Sequence, residues 1–271
     1  MRHRRSLSDA VEEVRMNARR FAWLLAVVLC VTVTAPQAAE VKVLATVAVK
    51  AVMDGLVPVF ERESGHKVAI QFGTSAMLRK QIDGGEHYDV VILTPPEYAD
   101  ELVKQGRLAA DSVARFAATH VGLAVRAGAP RPDIGSEEAL KKALLAARSV
   151  GYSDPALGGT SGVHAKALIE RLGIANELAS KIKVGPVLAV VEMVANGEVE
   201  LGFAQLSEIA SDARLQLVGP LRPPFEKSTL ISLGVRSDST EGAAARMLTQ
   251  FLRSPAAAEG IKARGLEPAL P

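Results

Sequence analysis

Four short segments of the sequence combine small, hydroxylated or amide-bearing residues with few charges. They lie at 45–48, 73–75, 153–162 and 204–207. Backbone amides at the start of a helix, supported by the helix dipole, bind anionic oxygens without needing a counter-ion. The four segments therefore predict a binding site for a small anion that is built from uncharged donors.

Hydroxyl groups in two of these segments are the first candidate ligand contacts. Thr74 and Ser75 can donate hydroxyl and backbone hydrogen bonds to an anion, although such residues are also typical of a plain helix cap. Thr160, Ser161 and Gly162 offer a second helix start, whose alternative is a flexible glycine-rich turn. We expect both sets to contact the ligand.

The other candidates are an amide, two residues of the first segment and two titratable groups. Gln205 can both donate to and accept from a carboxylate, or be an ordinary buried amide. Val47 and Ala48 supply the first segment's contacts. His164 can donate to a carboxylate or shuttle a proton, since its unperturbed pKa is about 6.5, and a packing histidine is its alternative. Arg79 can clamp a carboxylate bidentately or be a solvated helix residue.

Other kinds of site lack a pattern in this sequence. His66, His87, His120 and His164 show no metal-ligand spacing, and the single cysteine, Cys30, lies near the N-terminus. Neither a phosphate-binding loop nor a dinucleotide fingerprint is present. We therefore expect no metal and no cofactor.

Composition places the chain among ordinary globular proteins. It has 271 residues, 48% of them hydrophobic and 23% charged, which excludes a disordered chain. The formal net charge is +2, whereas a nucleic-acid-binding protein carries a strong positive excess. We expect no nucleic-acid partner.

Residues 1–39 have the pattern of a secretory signal peptide. A basic pair at 19–20 precedes an apolar run at 21–31 and a small-residue exit at 35–39. A membrane anchor is the alternative, but a spanning helix needs about 20 apolar residues. We expect export to the periplasm.

Cleavage after Ala38 or Ala39 would change the chemistry of the chain. It removes Cys30 together with six basic and three acidic residues, and so leaves a net charge of −1. Met16 is also a more ordinary start for such a leader than Met1. The mature protein is expected to be a monomer with no stable membrane insertion.

Strand and helix patterns alternate along the rest of the chain. Strands are predicted at about 41–45, 67–72, 89–93, 116–125, 149–152, 200–203, 215–218 and 229–235. Helices are predicted at about 49–63, 75–82, 95–106, 136–147, 162–171, 188–196, 240–252 and 255–263. Strands separated by single helices favour an α/β fold, here with mixed sheets flanked by helices.

Two stretches of loop-forming residues suggest that the chain crosses between two lobes. They lie near 126–132 and 219–229. The predicted organisation is one lobe from 40–126 plus 229–271, a second lobe from 127–228, and two hinge crossings. Ligands of parallel α/β sheets bind at the carboxyl ends of the strands, which is where the four polar segments lie.

The order of several segments resembles the molybdate-binding-protein-like family of periplasmic type II solute-binding proteins. The resemblance covers nearly the whole mature chain and is carried by 45–65, 73–75, 89–92, 102–106, 153–162, 202–205 and 251–258. It implies a two-lobed periplasmic binding protein type II fold and delivery of a solute to a membrane transporter.

Two positions depart from the oxyanion-binding members of that family. Ala48 stands where they have a serine, and Gln205 stands where they usually have a tyrosine. Losing two donors disfavours molybdate or tungstate, because a desolvated ion needs all its partners. The segments 202–208 and 217–219 are also similar to aconitate isomerases, which implies a small polycarboxylate as the ligand.

Three functions follow from the residues and the resemblance. The first is an exported protein that closes two lobes around a small anion, a di- or tricarboxylate, for delivery to an ABC-type transporter permease. The second is an isomerase that moves a double bond by proton transfer, with His164 as the candidate base. The third is an oxyanion-binding protein. The sequence leaves all three open.

Overall fold

The structure is a computed structural model that describes residues 38–269. The predicted signal peptide and Cys30 lie outside the described residues, apart from Ala38 and Ala39 at the end of the leader.

Strands and helices alternate from the first described residues onward. The strands are β1 Glu40–Thr46, β2 Lys67–Gly73, β3 Val90–Leu93, β4 Ala114–Arg126, β5 Val150–Ser153, β6 Ile182–Gly185, β7 Leu201–Gln205, β8 Leu215–Pro220, β9 Ser228–Val235 and β10 Glu267–Pro268. The helices are α1 Lys50–Ser64, α2 Ser75–Asp83, α3 Glu97–Lys104, α4 Glu137–Ala146, α5 Thr160–Arg171, α6 Ala175–Leu178, α7 Ala189–Ala195, α8 Leu206–Ala210, α9 Gly242–Leu252 and α10 Pro255–Lys262. Short 3-10 turns occur at Val47–Val49, Ala110–Ser112 and Pro155–Leu157.

The strands form a mixed sheet in the order β2-β1-β3-β9-β4-β7-β5-β6, with β8 and β10 also paired to β4. β1 is parallel to β2 and β3, and β5 is parallel to β6 and β7. β9 and β4 run antiparallel to their neighbours. The α/β class with mixed strands flanked by helices is therefore confirmed.

Strand β4 belongs to two parts of the sheet. Its first residues, through His120, pair with β9, and its residues from Val121 pair with β7 and β8. We call β2, β1, β3, β9 and the first part of β4 the β1 half of the sheet. We call the second part of β4 with β7, β5, β6 and β8 the β5 half.

Separate apolar clusters cover the two halves. Phe116 of β4 packs into a cluster with β1, α1 and α9, whereas Leu123 packs into a cluster with α4, α5 and β7. The helical spacing of apolar residues along α1 explains how this helix joins the first cluster, because Val52, Met53 and Phe60 are buried on one side of the helix. The lobe boundaries at 126/127 and 228/229 stay a prediction.

Some elements differ from the sequence expectation at their ends. The predicted start of α1 at Val49 forms a 3-10 turn, and the α-helix begins at Lys50. The short strand β6 was not predicted from the sequence, because burial does not alternate along it: Lys183 and Val184 are both exposed, and Gly185 is buried. Helix and strand ends depend on such local contacts more than on pattern.

Candidate anion-binding site

A small cavity of about 20 Å³ lies between residues of the two halves of the sheet. We call it the inner cavity. Its lining from the β1 half consists of Thr46, Val47, Ala48, Thr74, Ser75 and Thr94. Its lining from the β5 half consists of Gly158, Gly159, Thr160, Ser161, Val187, Gln205 and Glu208. Each of the four polar segments of the sequence therefore contributes residues to the lining of the inner cavity.

Helix α2 begins at the inner cavity and is capped by its own residues. The Thr74 hydroxyl accepts a hydrogen bond from the backbone N–H of Met77 at 3.2 Å. The Ser75 hydroxyl accepts one from the backbone N–H of Thr94 at 2.9 Å, which ties the helix start to the loop after β3. The first amides of a helix have no intrahelical partner, so the N–H groups of Ser75 and Ala76, which precede the capped amide of Met77, are available to an anion.

Helix α5 begins at the opposite wall without a side-chain cap. Its N-cap is Gly159, and the hydroxyls of Ser161 and Ser153 lie 3.4 Å apart. The preceding loop comes very close to α2. Gly158 has a left-handed φ of 73°, and a Cβ added there would lie 2.9 Å from the Cβ of Ala76. The two helix starts therefore confront each other across the inner cavity.

The first polar segment contributes backbone and methyl groups to the cavity wall. Val47 and Ala48 lie in the 3-10 turn that follows β1. The carbonyl of Ala48 accepts a hydrogen bond from the Ser207 hydroxyl at 2.9 Å, a bond between residues 159 positions apart. This bond joins the β1 half to α8 beside the cavity.

Gln205 and Glu208 complete the wall at the end of β7. The Gln205 side-chain amide donates to the Thr229 hydroxyl at 3.4 Å. A carboxylate oxygen of Glu208 accepts from the Gln205 backbone N–H at 3.2 Å, which is the contact of an acidic residue in the first turn of α8. Both side chains are buried.

Glu208 is the one ionisable residue among those that line the inner cavity in the described part of the chain. Its side chain is 8% exposed, and burial raises its pKa to about 7 despite the hydrogen bond from Gln205. The charged form of a buried carboxyl is disfavoured when no cation compensates it. Sequence reasoning missed Glu208, although a glutamate three residues after a strand-ending Gln205 is a typical first-turn acid.

A larger cavity of about 670 Å³ shares Val47, Ala48 and Glu208 with the inner cavity. We call it the outer cavity. Charged residues on its wall are Lys50, Asp54, Glu192, Asp212 and Arg264. Lys50 pairs with Asp54 at 2.6 Å, and Arg214 pairs with both Asp212 and Glu192. The outer cavity is charged but locally neutralised, whereas the inner cavity has uncharged donors and one carboxyl.

Three residues that were predicted to contact the ligand do not line the inner cavity. The first is Arg79, which is paired with acidic neighbours. Its guanidinium bonds to the Glu101 carboxylate at 2.9 Å and lies 3.6 Å from that of Asp83. Its charge is thereby neutralised away from the cavity.

Gly162 and His164 are the other two. A Cβ at Gly162 would lie 1.8 Å from the carbonyl oxygen of Ser153, so this glycine is packed against the end of β5. The Nε2 atom of His164 is 2.9 Å from the carbonyl oxygen of Phe225, and burial lowers the pKa of this imidazole. The remaining predicted residues, which are Val47, Ala48, Thr74, Ser75, Thr160, Ser161 and Gln205, share the one cavity.

Within residues 38–269 no group of three or more His, Cys, Asp or Glu side chains is placed to hold a metal ion. None of the helices described there is long and apolar enough to cross a membrane.

The sequence matches the family model for bacterial extracellular solute-binding proteins over residues 41–267. It is 35% identical over 217 residues to an aconitate isomerase of Pseudomonas sp, a match that covers 78% of this chain and 81% of that one. It is 30% identical over 239 residues to the molybdate-binding protein ModA of Azotobacter vinelandii, covering 85% and 91% of the two chains.

A solved structure agrees with this grouping at the level of the fold. The periplasmic molybdate-binding protein of Azotobacter vinelandii superposes with a TM-score of 0.71 at 23% identity, over 86% of this chain and all of that one. The predicted periplasmic solute-binding fold and the resemblance to molybdate-binding-like proteins and aconitate isomerases are therefore confirmed.

Proposed function

The chain belongs to the family of bacterial extracellular solute-binding proteins, and from that premise we propose that it closes two lobes around a small organic anion, a di- or tricarboxylate. In this proposal it is exported by a cleaved signal peptide and delivers the anion to an ABC-type transporter.

The observation that carries this proposal is the meeting of two helix starts. Ser75 at the start of α2 and Ser161 at the start of α5 line one cavity from opposite halves of the sheet. Neither Lys nor Arg is among the described residues that line it. Helix N-termini and hydroxyls together stabilise negative oxygens without a cation, so the chemistry of this wall suits an anion.

The residues at two wall positions favour a carboxylate over a tetrahedral oxyanion. Ala48 offers only a methyl side chain, and Gln205 offers an amide that already donates to Thr229. A carboxylate presents two oxygens in a plane and needs donors on fewer sides than a tetrahedral anion. The inner cavity is small, at about 20 Å³, and the adjoining outer cavity of about 670 Å³ falls in the range of organic-ligand pockets.

Closure of two lobes would complete the site. The proposed lobes are 40–126 plus 229–271 and 127–228, with hinges near 126–132 and 219–229. Hinge closure excludes water and strengthens every hydrogen bond to the anion, since the local dielectric constant falls.

Titration calorimetry with trans-aconitate, citrate and molybdate tests this function. We expect a carboxylate to bind, and we expect Ser75→Ala and Ser161→Ala each to weaken binding by about tenfold because each removes a wall donor. Ser237→Ala, which changes an exposed serine away from the inner cavity, is the matched control and should bind as the parent does. Binding of molybdate alone would favour the oxyanion-binding alternative, and binding of none of the three would exclude the proposed ligand class.

An isomerase is a second candidate, favoured by the relative named aconitate isomerase at 35% identity. Such a reaction removes a proton from a carbon next to a carboxylate, shifts the electron pair to form the new double bond and returns the proton to the distal carbon. It needs a titratable group at the anion. Glu208 lines the inner cavity with a pKa near 7, whereas His164 does not line it.

Proton NMR of the protein with trans-aconitate in deuterated water tests the second candidate. Formation of the cis isomer with deuterium in the product would support it. We expect Glu208→Gln to abolish the reaction and His164→Gln to preserve it if Glu208 is the base. Absence of the cis isomer under saturating substrate would exclude the activity.

A further inference from the structure

Glu208 has an unusual combination of surroundings for a carboxyl group. It is more than nine-tenths buried, and it lines both the inner and the outer cavity. In the described structure its side chain accepts one hydrogen bond, which comes from the backbone N–H of Gln205. The wall it joins is otherwise made of hydroxyls, an amide and helix starts that favour an anion. A negative carboxylate and a negative ligand would therefore face each other in one small enclosed space.

We propose that Glu208 takes up a proton when the anion binds, so that this carboxyl makes anion binding by the inner cavity proton-linked. The inference rests on the proposed function, because it concerns the same site. It assigns a class of ligand: anions with an oxygen that can share a proton with a neutral carboxyl, as carboxylates do. In its neutral form Glu208 would act as a hydrogen-bond donor to the anion.

Protonation of Glu208 costs less free energy than keeping a negative carboxylate beside a negative ligand in the inner cavity. Burial already places the pKa of Glu208 at about 7, so a proton binds this carboxyl easily near neutral pH. A nearby anion disfavours the charged carboxylate further and therefore raises the pKa again. Proton uptake on binding follows directly from such a shift.

The other charged groups near α8 do not account for the raised pKa of Glu208. Those on the outer cavity wall are Lys50, Asp54, Glu192, Asp212 and Arg264. None of them is among the causes of the shifted pKa of Glu208. Of the strands packed against α8, β7 and β8 contain no titratable side chain, and the Arg115, His120 and Arg126 side chains of β4 line neither cavity.

The competing interpretation is that Glu208 only stabilises the first turn of α8. The variant Glu208→Gln separates the two roles, because a glutamine oxygen can accept the same hydrogen bond from the Gln205 amide but does not titrate. A residue that serves only as a first-turn acceptor would bind no proton with the ligand in either protein. Glu63→Gln, an exposed change on α1, is the matched control.

Calorimetry at pH 8 in two buffers of different ionisation enthalpy counts the protons taken up with trans-aconitate, citrate or molybdate. We expect the parent and Glu63→Gln to take up roughly one more proton per anion than Glu208→Gln, and protonation of the ligand itself cancels in this difference. Between pH 8 and pH 9 the affinity of the parent should fall about tenfold more than that of the variant. A melting curve of the variant confirms that it folds.

The outcomes separate this inference from the proposed function. An anion that binds the parent with the same proton count and the same pH dependence as Glu208→Gln overturns the inference and leaves the proposed function standing. If the variant does not fold, the parent alone decides: zero proton uptake at pH 8 beyond that of the free ligand overturns the inference. Binding of none of the three anions overturns both.

Discussion

The two helix starts that face each other across the inner cavity are built differently. At the start of helix α2 the Thr74 hydroxyl accepts a hydrogen bond from the Met77 backbone N–H, and the Ser75 hydroxyl accepts one from the Thr94 backbone N–H. Helix α5 has Gly159 at its N-cap and no side-chain cap, and the Ser161 hydroxyl has only a long contact with Ser153. Both starts line the inner cavity, but the hydroxyls at the start of α2 make hydrogen bonds within the protein, whereas the Ser161 hydroxyl at the start of α5 makes only one long contact.

This difference separates a structural from a ligand-binding contribution. Where a hydroxyl accepts a hydrogen bond from a buried amide, removing the hydroxyl leaves that amide without a partner and lowers the stability of the protein. Where a hydroxyl has only a long contact, removing it costs little in the free protein. We infer that changes at α2 act on both folding and binding, whereas changes at α5 hydroxyls act mainly on binding. The following variants break or sharpen this contrast.

Gly162→Ala has the largest expected effect on stability, because it disrupts the close packing of α5 against the end of β5. The new Cβ would lie 1.8 Å from the carbonyl oxygen of Ser153, so the helix must shift. We expect a loss of about 3 kcal/mol in the free energy of unfolding, measured by urea denaturation. Gly242→Ala at the start of α9, where nothing lies within 4 Å, is the control. Equal midpoints for the two variants would contradict the close packing of α5.

Ser75→Ala tests the contrast between the two serines directly. It leaves the buried amide of Thr94 without an acceptor, so we expect a loss of about 2 kcal/mol in the free energy of unfolding. Ser161→Ala loses only a 3.4 Å contact and should cost about 0.5 kcal/mol. Both should weaken anion binding. Similar losses of stability in the two variants would remove the proposed difference between the helix starts.

Thr74→Ala removes the side-chain cap that α2 has and α5 lacks. Loss of an N-cap hydroxyl costs about 1 kcal/mol, which thermal or urea denaturation resolves. Thr74→Ser keeps the acceptor for the Met77 amide and should retain nearly all the stability. A serine variant as unstable as the alanine variant would show that the methyl group, and not the cap, matters.

Arg79→Lys should change anion binding the least. The Arg79 guanidinium is engaged by Glu101 and Asp83, outside the inner cavity, so binding should stay within about twofold of the parent. Lysine keeps the charge but loses the planar fork that clamps a carboxylate bidentately. Calorimetry with the carboxylate that binds best provides the measurement. A tenfold loss of affinity would place Arg79 at the ligand and would reverse the assignment made from its ion pairs.

Much of the fold and part of the site follow from local sequence. Helix starts at Thr74 and near Thr160, and the buried strand at 90–93, were predictable because caps and apolar patterns act over a few residues. The polar segments that contain Ser75, Ser161 and Gln205 were predictable for the same reason. That they share one cavity was an expectation drawn from the α/β pattern, and the structure brings them together there.

Which titratable residues belong to the site was not predictable in this way. Arg79 was a candidate because of its chemical type, but its partner Glu101 lies 22 residues further along the chain. His164 was a candidate for the same reason, and it contacts Phe225, 61 residues away. Glu208 was missed because its sequence position indicates a first-turn acid of an exposed helix.

The sequence by itself determined where helices begin, which loops carry hydroxyls and which family the order of segments resembles. Those features depend on hydrogen bonds and side-chain periodicity within a few residues of each other. Only the tertiary structure decided which charges are neutralised and which carboxyl is enclosed in the wall of the inner cavity. Burial and ion pairing join residues far apart in the chain, and the free energy of a charge depends on that surrounding medium.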